Sequence, residues 1–330
     1  MRNRPALIGS LALVLAASGF GMLGPVARLA YDAGFVPTAF VAWRAMVGVA
    51  AIAVIVVLRA RRGTPIADPR GLPRRDLVGL GLIALAGLGV NIATFIGFSV
   101  TTVALVLLGF YTYPAMVALV AIALGHERLD RPRLAALGLA LGGMVLVVVG
   151  GLDGTGPGDA VVGPAGVLLG LAAAVSQTVF VTVSRGRFAG VSSEQAMGWV
   201  LIVTAVATLS LAIGLGAPLD VPFRNPTALG LTVLAGVAGA GLPSVLFLFG
   251  IRAIGGTRAG ILMLLEPVVG VTLAALLLDE ALRPVQVLGG AAILGAALVL
   301  QRGAAATDVT DATDLRAAAD GAPIPIAEHP

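Results

Sequence analysis

Two charged residues stand where the surrounding sequence is almost wholly apolar. Glu266 follows Ile261-Leu262-Met263-Leu264-Leu265, and Arg44 sits within Phe40-Val41-Ala42-Trp43-Arg44-Ala45-Met46-Val47. A charge at the centre of a bilayer costs roughly 2.5–3.5 kcal/mol on insertion scales. A side chain of this kind is hard to retain against lipid, so each is expected to face an aqueous cavity or a partner. A carboxylate in such a place can hold a proton or an amine. A guanidinium can bind an anionic group or set the field of the cavity. Competition among proton, solute and arginine for one carboxylate would couple their movements. The structural alternatives are an ion pair between the two, or Arg44 snorkelling to the headgroups. The sequence alone does not say whether they touch.

Other polar and aromatic residues fall in the same runs. Pro114 and Pro267 each remove a backbone donor from mid-helix, leaving the carbonyls of Phe110 and Met263 without their usual partner. Non-helical polarity at that depth is tolerated where it is buried in protein or faces water. The two prolines occupy equivalent places in a repeat described below, so two kinks are expected to face each other, with Tyr113 opposite Glu266. Further candidates for lining a site are Trp43, Asn91, Tyr111, Gln177, Trp199 and Ser244, with Ser176 beside Gln177. An aromatic ring next to a charge could stack on a planar solute or cation. Trp43 equally suits the interfacial aromatic belt, and Ser176 and Gln177 could bond helix to helix. Glu127 and Glu280 follow the ends of apolar runs, where solvation or pairing with Arg128 and Arg283 is the simpler role.

Elements that position such residues must span a membrane. Of 330 residues, 58% are hydrophobic and 12% charged, with a mean hydropathy of +1.02; a soluble domain carries roughly 25% charged residues. A span needs about 20 mostly apolar residues. Such runs fall near 5–27, 37–58, 77–98, 103–123, 133–150, 163–184, 196–214, 227–249, 258–277 and 284–301. They are apolar on all faces, unlike an amphipathic soluble helix. The expected fold class is therefore an all-α integral membrane protein of ten transmembrane helices.

All 21 basic residues are arginine, and their placement orients the chain. With the N-terminus in the cytoplasm, seventeen lie on cytoplasmic segments: Arg2 and Arg4, six between Arg59 and Arg75, Arg128, Arg131, Arg133, Arg185, Arg187, Arg252, Arg258, Arg302 and Arg316. Only Arg28, Arg224 and Arg283 fall outside, and Arg44 is inside a span. A missed or invented span would break this alternation. Both termini are expected to be cytoplasmic, and the net charge of +4 belongs to loops rather than to nucleic-acid binding. The first run reads as an uncleaved helix rather than a signal peptide, being long and followed by nine more. Residues 303–330, rich in Ala, Asp, Thr and Pro, read as a disordered cytoplasmic tail.

The chain repeats. The stretch from Ala104 aligns with that from Thr257: Pro114 with Pro267, Glu127 with Glu280, Leu129 with Leu282 and, after a one-residue gap, Gly138 with Gly290 and Gly143 with Gly295. Asn91 then pairs with Ser244 and Arg44 with Trp199. The halves are residues 1–152 and 153–302, five spans each. Five is odd, so the second half must enter from the opposite face. Two inverted repeats sharing a cavity suit alternating access. Glycines in both final helices (Gly138, Gly142, Gly143; Gly289, Gly290, Gly295) allow close helix approach, within the chain or in a homodimer.

These paired segments carry a resemblance. Leu265-Glu266-Pro267-Val268 with Asp279-Glu280-Ala281-Leu282, echoed by Tyr113-Pro114 and Gly125-His126-Glu127-Arg128-Leu129, are similar to the EamA-like branch of the drug/metabolite transporter superfamily. The resemblance covers about residues 5–302. His126 stands where a small residue is common, and the tail is extra. It implies ten helices in two inverted repeats and secondary transport, usually export of an amino acid or similar metabolite.

Rival functions find less support. Without cysteine and with only His126 and His329, neither a thiolate nor a histidine metal cluster is available. No span contains a histidine base, which leaves no candidate catalytic residue, and no cofactor motif is present. A phosphate-binding G-x-x-x-x-G-K loop is missing, so direct ATP use is not expected. A channel would show rings of like charge; a scaffold or sensor would carry long soluble loops or a signalling domain. An importer would share every feature above. The expected partners are a small-molecule substrate, the lipid bilayer and protons, in a bacterial cytoplasmic membrane.

Overall fold

A computed structural model describes residues 4–100, 103–125, 130–150, 164–186, 188, 190–277 and 282–299. Among these, all regular elements are helices. Nine are long and apolar enough to cross a bilayer: α1 (Ala6–Asp32), α2 (Pro37–Arg61), α3 (Arg74–Thr94), α4 (Val106–Ala123), α5 (Arg131–Gly150), α6 (Ala165–Ser184), α7 (Ser193–Gly214), α8 (Pro226–Ile254) and α9 (Gly256–Leu277). A shorter apolar helix, α10 (Pro284–Val299), follows. The architecture is a ten-helix, two-repeat membrane fold. His126, Glu127, Arg128, Leu129, Asp279, Glu280 and the tail 303–330 lie outside the described residues.

In hydrocarbon every backbone polar group needs an internal partner, which makes a long apolar run helical. The ends obey different rules. Pro37 and Pro226 occupy first-turn positions, where a missing amide costs nothing. Asn225 caps α8 by accepting from the amides of Thr227 and Ala228. Ser192 and Gln195 form a reciprocal capping box at the start of α7. Arg59 and Arg61 in the last turn of α2 complement its dipole. Helices consequently outrun the apolar stretches. Arg28, expected in a loop, lies within α1, and Arg74 and Arg75 lie in the first turn of α3. Hydropathy marks where lipid ends, whereas caps and dipoles mark where the helix ends.

Large apolar side chains cover the outside: Leu15, Leu85, Val206 and Leu276 are each more than 60% exposed. Lipid tails are as apolar as leucine, so burial in water's sense does not drive helix association here. Close packing does. The pairing is reciprocal between halves. Helix α1 packs on α8 and α9 of the second half, and α6, its repeat mate, packs on α3 and α4 of the first. Helix α2 packs on α7 and α8; α7 packs on α2 and α3. Helices α5 and α10 cross at glycines, where a Cβ on Gly143 would come within 2.6 Å of the Gly289 carbonyl oxygen. Gly138 and Gly142, by contrast, have nothing within 4 Å.

Candidate functional site

Four prolines fall inside spans rather than at their starts: Pro25, Pro114, Pro243 and Pro267. Each withholds the amide that the carbonyl four residues earlier would accept. The helices are interrupted accordingly. Helix α1 breaks between Gly21 and Leu23, and α4 breaks at Tyr111–Thr112. Helix α8 carries a π-turn over Val237–Gly241, and α9 breaks at Leu264. In α1, the Ser18 hydroxyl also bonds back to the Val14 carbonyl, a pattern that bends helices.

Glycines bring these irregular stretches against one another. A Cβ on Gly21 of α1 would lie 2.5 Å from the backbone oxygen of Glu266, and one on Gly19 would lie 2.5 Å from the carbonyl of Ala238 in the π-turn. Gly236, just before that turn, faces the Arg44 carbonyl of α2 at 3.1 Å. Pro114 packs against Gly260 of α9 at 3.2 Å from its Cβ position. Pro114 thus meets α9 about two turns before Pro267, where a glycine admits the ring.

Glu266 opens the second segment of α9 and is enclosed by the bundle, yet it keeps accessible surface. The Tyr111 hydroxyl donates a hydrogen bond to its carboxylate. Tyr113, the residue expected opposite the acid, lies within electrostatic reach of it and has no such bond. Both tyrosines are almost fully buried, and Phe110 packs on each ring at centroid distances of 5.4 and 5.2 Å.

Arg44 belongs to a second group. Its Nη2 donates to the Asn91 side-chain oxygen at 3.0 Å. The Asn91 amide nitrogen donates to the Gly87 carbonyl at 2.9 Å, which turns its oxygen toward the guanidinium. Tyr31, near the end of α1, is the neighbouring group in electrostatic reach. Arg44 and Glu266 form no ion pair with each other. A buried guanidinium satisfied by neutral oxygens keeps its charge available to a further anion.

The remaining candidates separate. Trp43 donates its indole N–H to the Leu219 carbonyl at 2.9 Å and packs edge-on against Phe223, tying α2 to the loop before α8. Trp199 is 43% exposed on a stripe with Ile202, Val206 and Ile213, the outer face of α7. It does not join the other residues, although it is the repeat mate of Arg44. Ser244 is buried, and Gln177 is half-buried with no hydrogen bond. Ser176 fits against Gly89 where α6 crosses α3. Sequence reasoning passed over Tyr31, Pro25 and Pro243, and singled out Phe110 only for its carbonyl; the two prolines were visible inside apolar runs but lack repeat mates.

One comparison with known proteins gives the family. The model of the EamA-like transporter family matches twice, over residues 7–149 and 164–301. No curated protein matches the chain. A crystal structure titled only as that of a protein superposes with a TM-score of 0.69, covering 91% of this chain and 99% of its own, at 23% identity. That likeness speaks to the fold alone. Two matched repeats, covering most of the chain, place the protein in the EamA-like transporter family of the drug/metabolite transporter superfamily, as a multi-pass membrane transporter of small molecules.

Proposed function

We propose that the chain is a secondary transporter that exports a small organic metabolite, an amino acid or a chemically similar solute, by alternating access coupled to proton movement. In this reading residues 1–152 and 153–302 are inverted five-helix repeats rocking about a shared crevice, and residues 303–330 are a cytoplasmic tail. The membrane is the bacterial cytoplasmic one, with both termini inside. Glu266 exchanges a proton for the cationic group of the solute. Arg44, with Asn91 behind it, receives the anionic group. Tyr111 and Tyr113 hold and shape the carboxylate's surroundings, and Trp43, Gln177 and Ser244 line the approach. The open face at Gly138 and Gly142 is where a second copy would dock in a homodimer.

The observation that carries the reading is the gathering of proline-broken helices around one carboxylate in mid-bundle. Substrate sites of transporters built from repeats lie near the midplane, where discontinuous helices supply polar backbone. A helix broken next to a retained acid has no packing advantage that an unbroken apolar helix lacks.

The test is flux in proteoliposomes with a panel of radiolabelled metabolites, with and without a proton gradient. One or more amino-acid-like solutes should move, faster under the gradient. Glu266→Gln should abolish the gradient's effect while leaving the thermal unfolding midpoint near the parent's. Parent-level, gradient-driven flux in that variant would remove Glu266 from the mechanism.

A further inference from the structure

The connection between α2 and α3 concentrates charge in a way the transport reading leaves unused. Arg61, Arg62, Arg70, Arg74 and Arg75 all lie between residues 61 and 75, and all are exposed. Among the described residues the guanidinium groups of Arg61, Arg62, Arg70 and Arg74 form no ion pair, and Arg75 pairs with the neighbouring Asp76, at 3.6 Å. The other carboxylate, Asp68, accepts from the backbone amide of Arg70 instead. Arg59, one turn earlier, is held by the buried Glu194 of α7.

Depth gives the patch its meaning. Val57 and Leu58 at the end of α2 are about half exposed, and so are Leu77 and Val78 at the start of α3. These are lipid-facing side chains, and the arginines begin within one turn of them. The cations therefore sit where apolar surface ends, at headgroup level. The connection is also laid against the bundle, because Ala67 and Leu72 pack on the main hydrophobic core. Helix stability does not account for Arg74 and Arg75, since cations in a first turn oppose the dipole. A topology signal needs positive charge but no fixed geometry.

We propose that residues 61–75 form a binding site for the phosphate of anionic phospholipid headgroups in that leaflet, with acyl chains lying along Val57, Leu58, Leu77 and Val78. Guanidinium forks suit phosphate oxygens bidentately. Each arginine near a membrane surface adds about fivefold in affinity for anionic lipid. The site is independent of the transport mechanism.

The test titrates the full chain, purified in neutral detergent, with short-chain phosphatidylglycerol, short-chain phosphatidylcholine and inorganic phosphate, read by native mass spectrometry and thermal unfolding. Phosphatidylglycerol should bind and stabilise, and the other two should do neither. The combined variant Arg62→Gln, Arg70→Gln, Arg74→Gln should lose about 100-fold in affinity for it. Arg224→Gln, a charge change elsewhere, should lose nothing. Unchanged affinity in the combined variant, equal binding of phosphatidylcholine, or equal binding of free phosphate overturns the proposal. Should the combined variant fail to fold, salt decides: binding to the parent must weaken steeply as ionic strength rises, and salt-insensitive binding overturns it as well.

Discussion

Replacing Tyr111 by phenylalanine removes one oxygen and keeps the ring that Phe110 packs against. The lost oxygen is the donor to Glu266. A hydrogen bond to a charged group contributes about 1.5–3 kcal/mol, which corresponds to roughly 10- to 150-fold in an equilibrium or rate that depends on it. Tyr113→Phe removes an equally buried hydroxyl from the same segment without breaking a bond to the acid. It should therefore change gradient-driven flux by no more than about threefold, since surrounding packing is kept. The assay is initial uptake in proteoliposomes for the best solute of the panel, with unfolding midpoints measured alongside. Equal losses in the two variants would refute the reasoning, because the hydroxyl contact would then be irrelevant. So would parent-level flux in Tyr111→Phe.

Gly21→Val places a Cβ 2.5 Å from the Glu266 carbonyl oxygen, and should cost about 1–3 kcal/mol by overpacking; Gly138→Val, with open space around it, should leave the unfolding midpoint unchanged. Trp43→Phe loses its bond to the Leu219 carbonyl and should destabilise the chain by about 1 kcal/mol, read by thermal unfolding. Trp199→Ala, on the outer face, should leave flux and its coupling to the gradient at the parent level.

Much of the fold was legible because hydropathy reports directly on the bilayer, a solvent with one dominant demand. The ten apolar runs correspond to the ten helices, with ends displaced by caps such as Ser192 and by flanking arginines. The site was legible only as a set of residue types. Glu266 and Arg44 announce themselves by their cost in lipid, but which neighbours satisfy them depends on helix rotation. Arg44 found Asn91 on α3 rather than Glu266. Tyr111 rather than Tyr113 bonds to the acid, and the helix is interrupted between the two. The repeat misled at Trp199: equivalent positions in two halves need not share surroundings, and Trp199 stands on the outer face. It also hid Pro25 and Pro243, which have no counterparts to draw attention to them.

The chain contains no cysteine, so a single introduced thiol reports on one place. The decisive measurement is labelling of the Glu266→Cys variant, in sealed vesicles, by a membrane-impermeant thiol reagent. Reaction with the reagent, slowed by an excess of transported solute, is the outcome expected if this position looks into a watery crevice between the two halves. A thiol that stays inert until the protein is unfolded would mean that the acid is sealed in dry packing, and the mechanism built on it would fail.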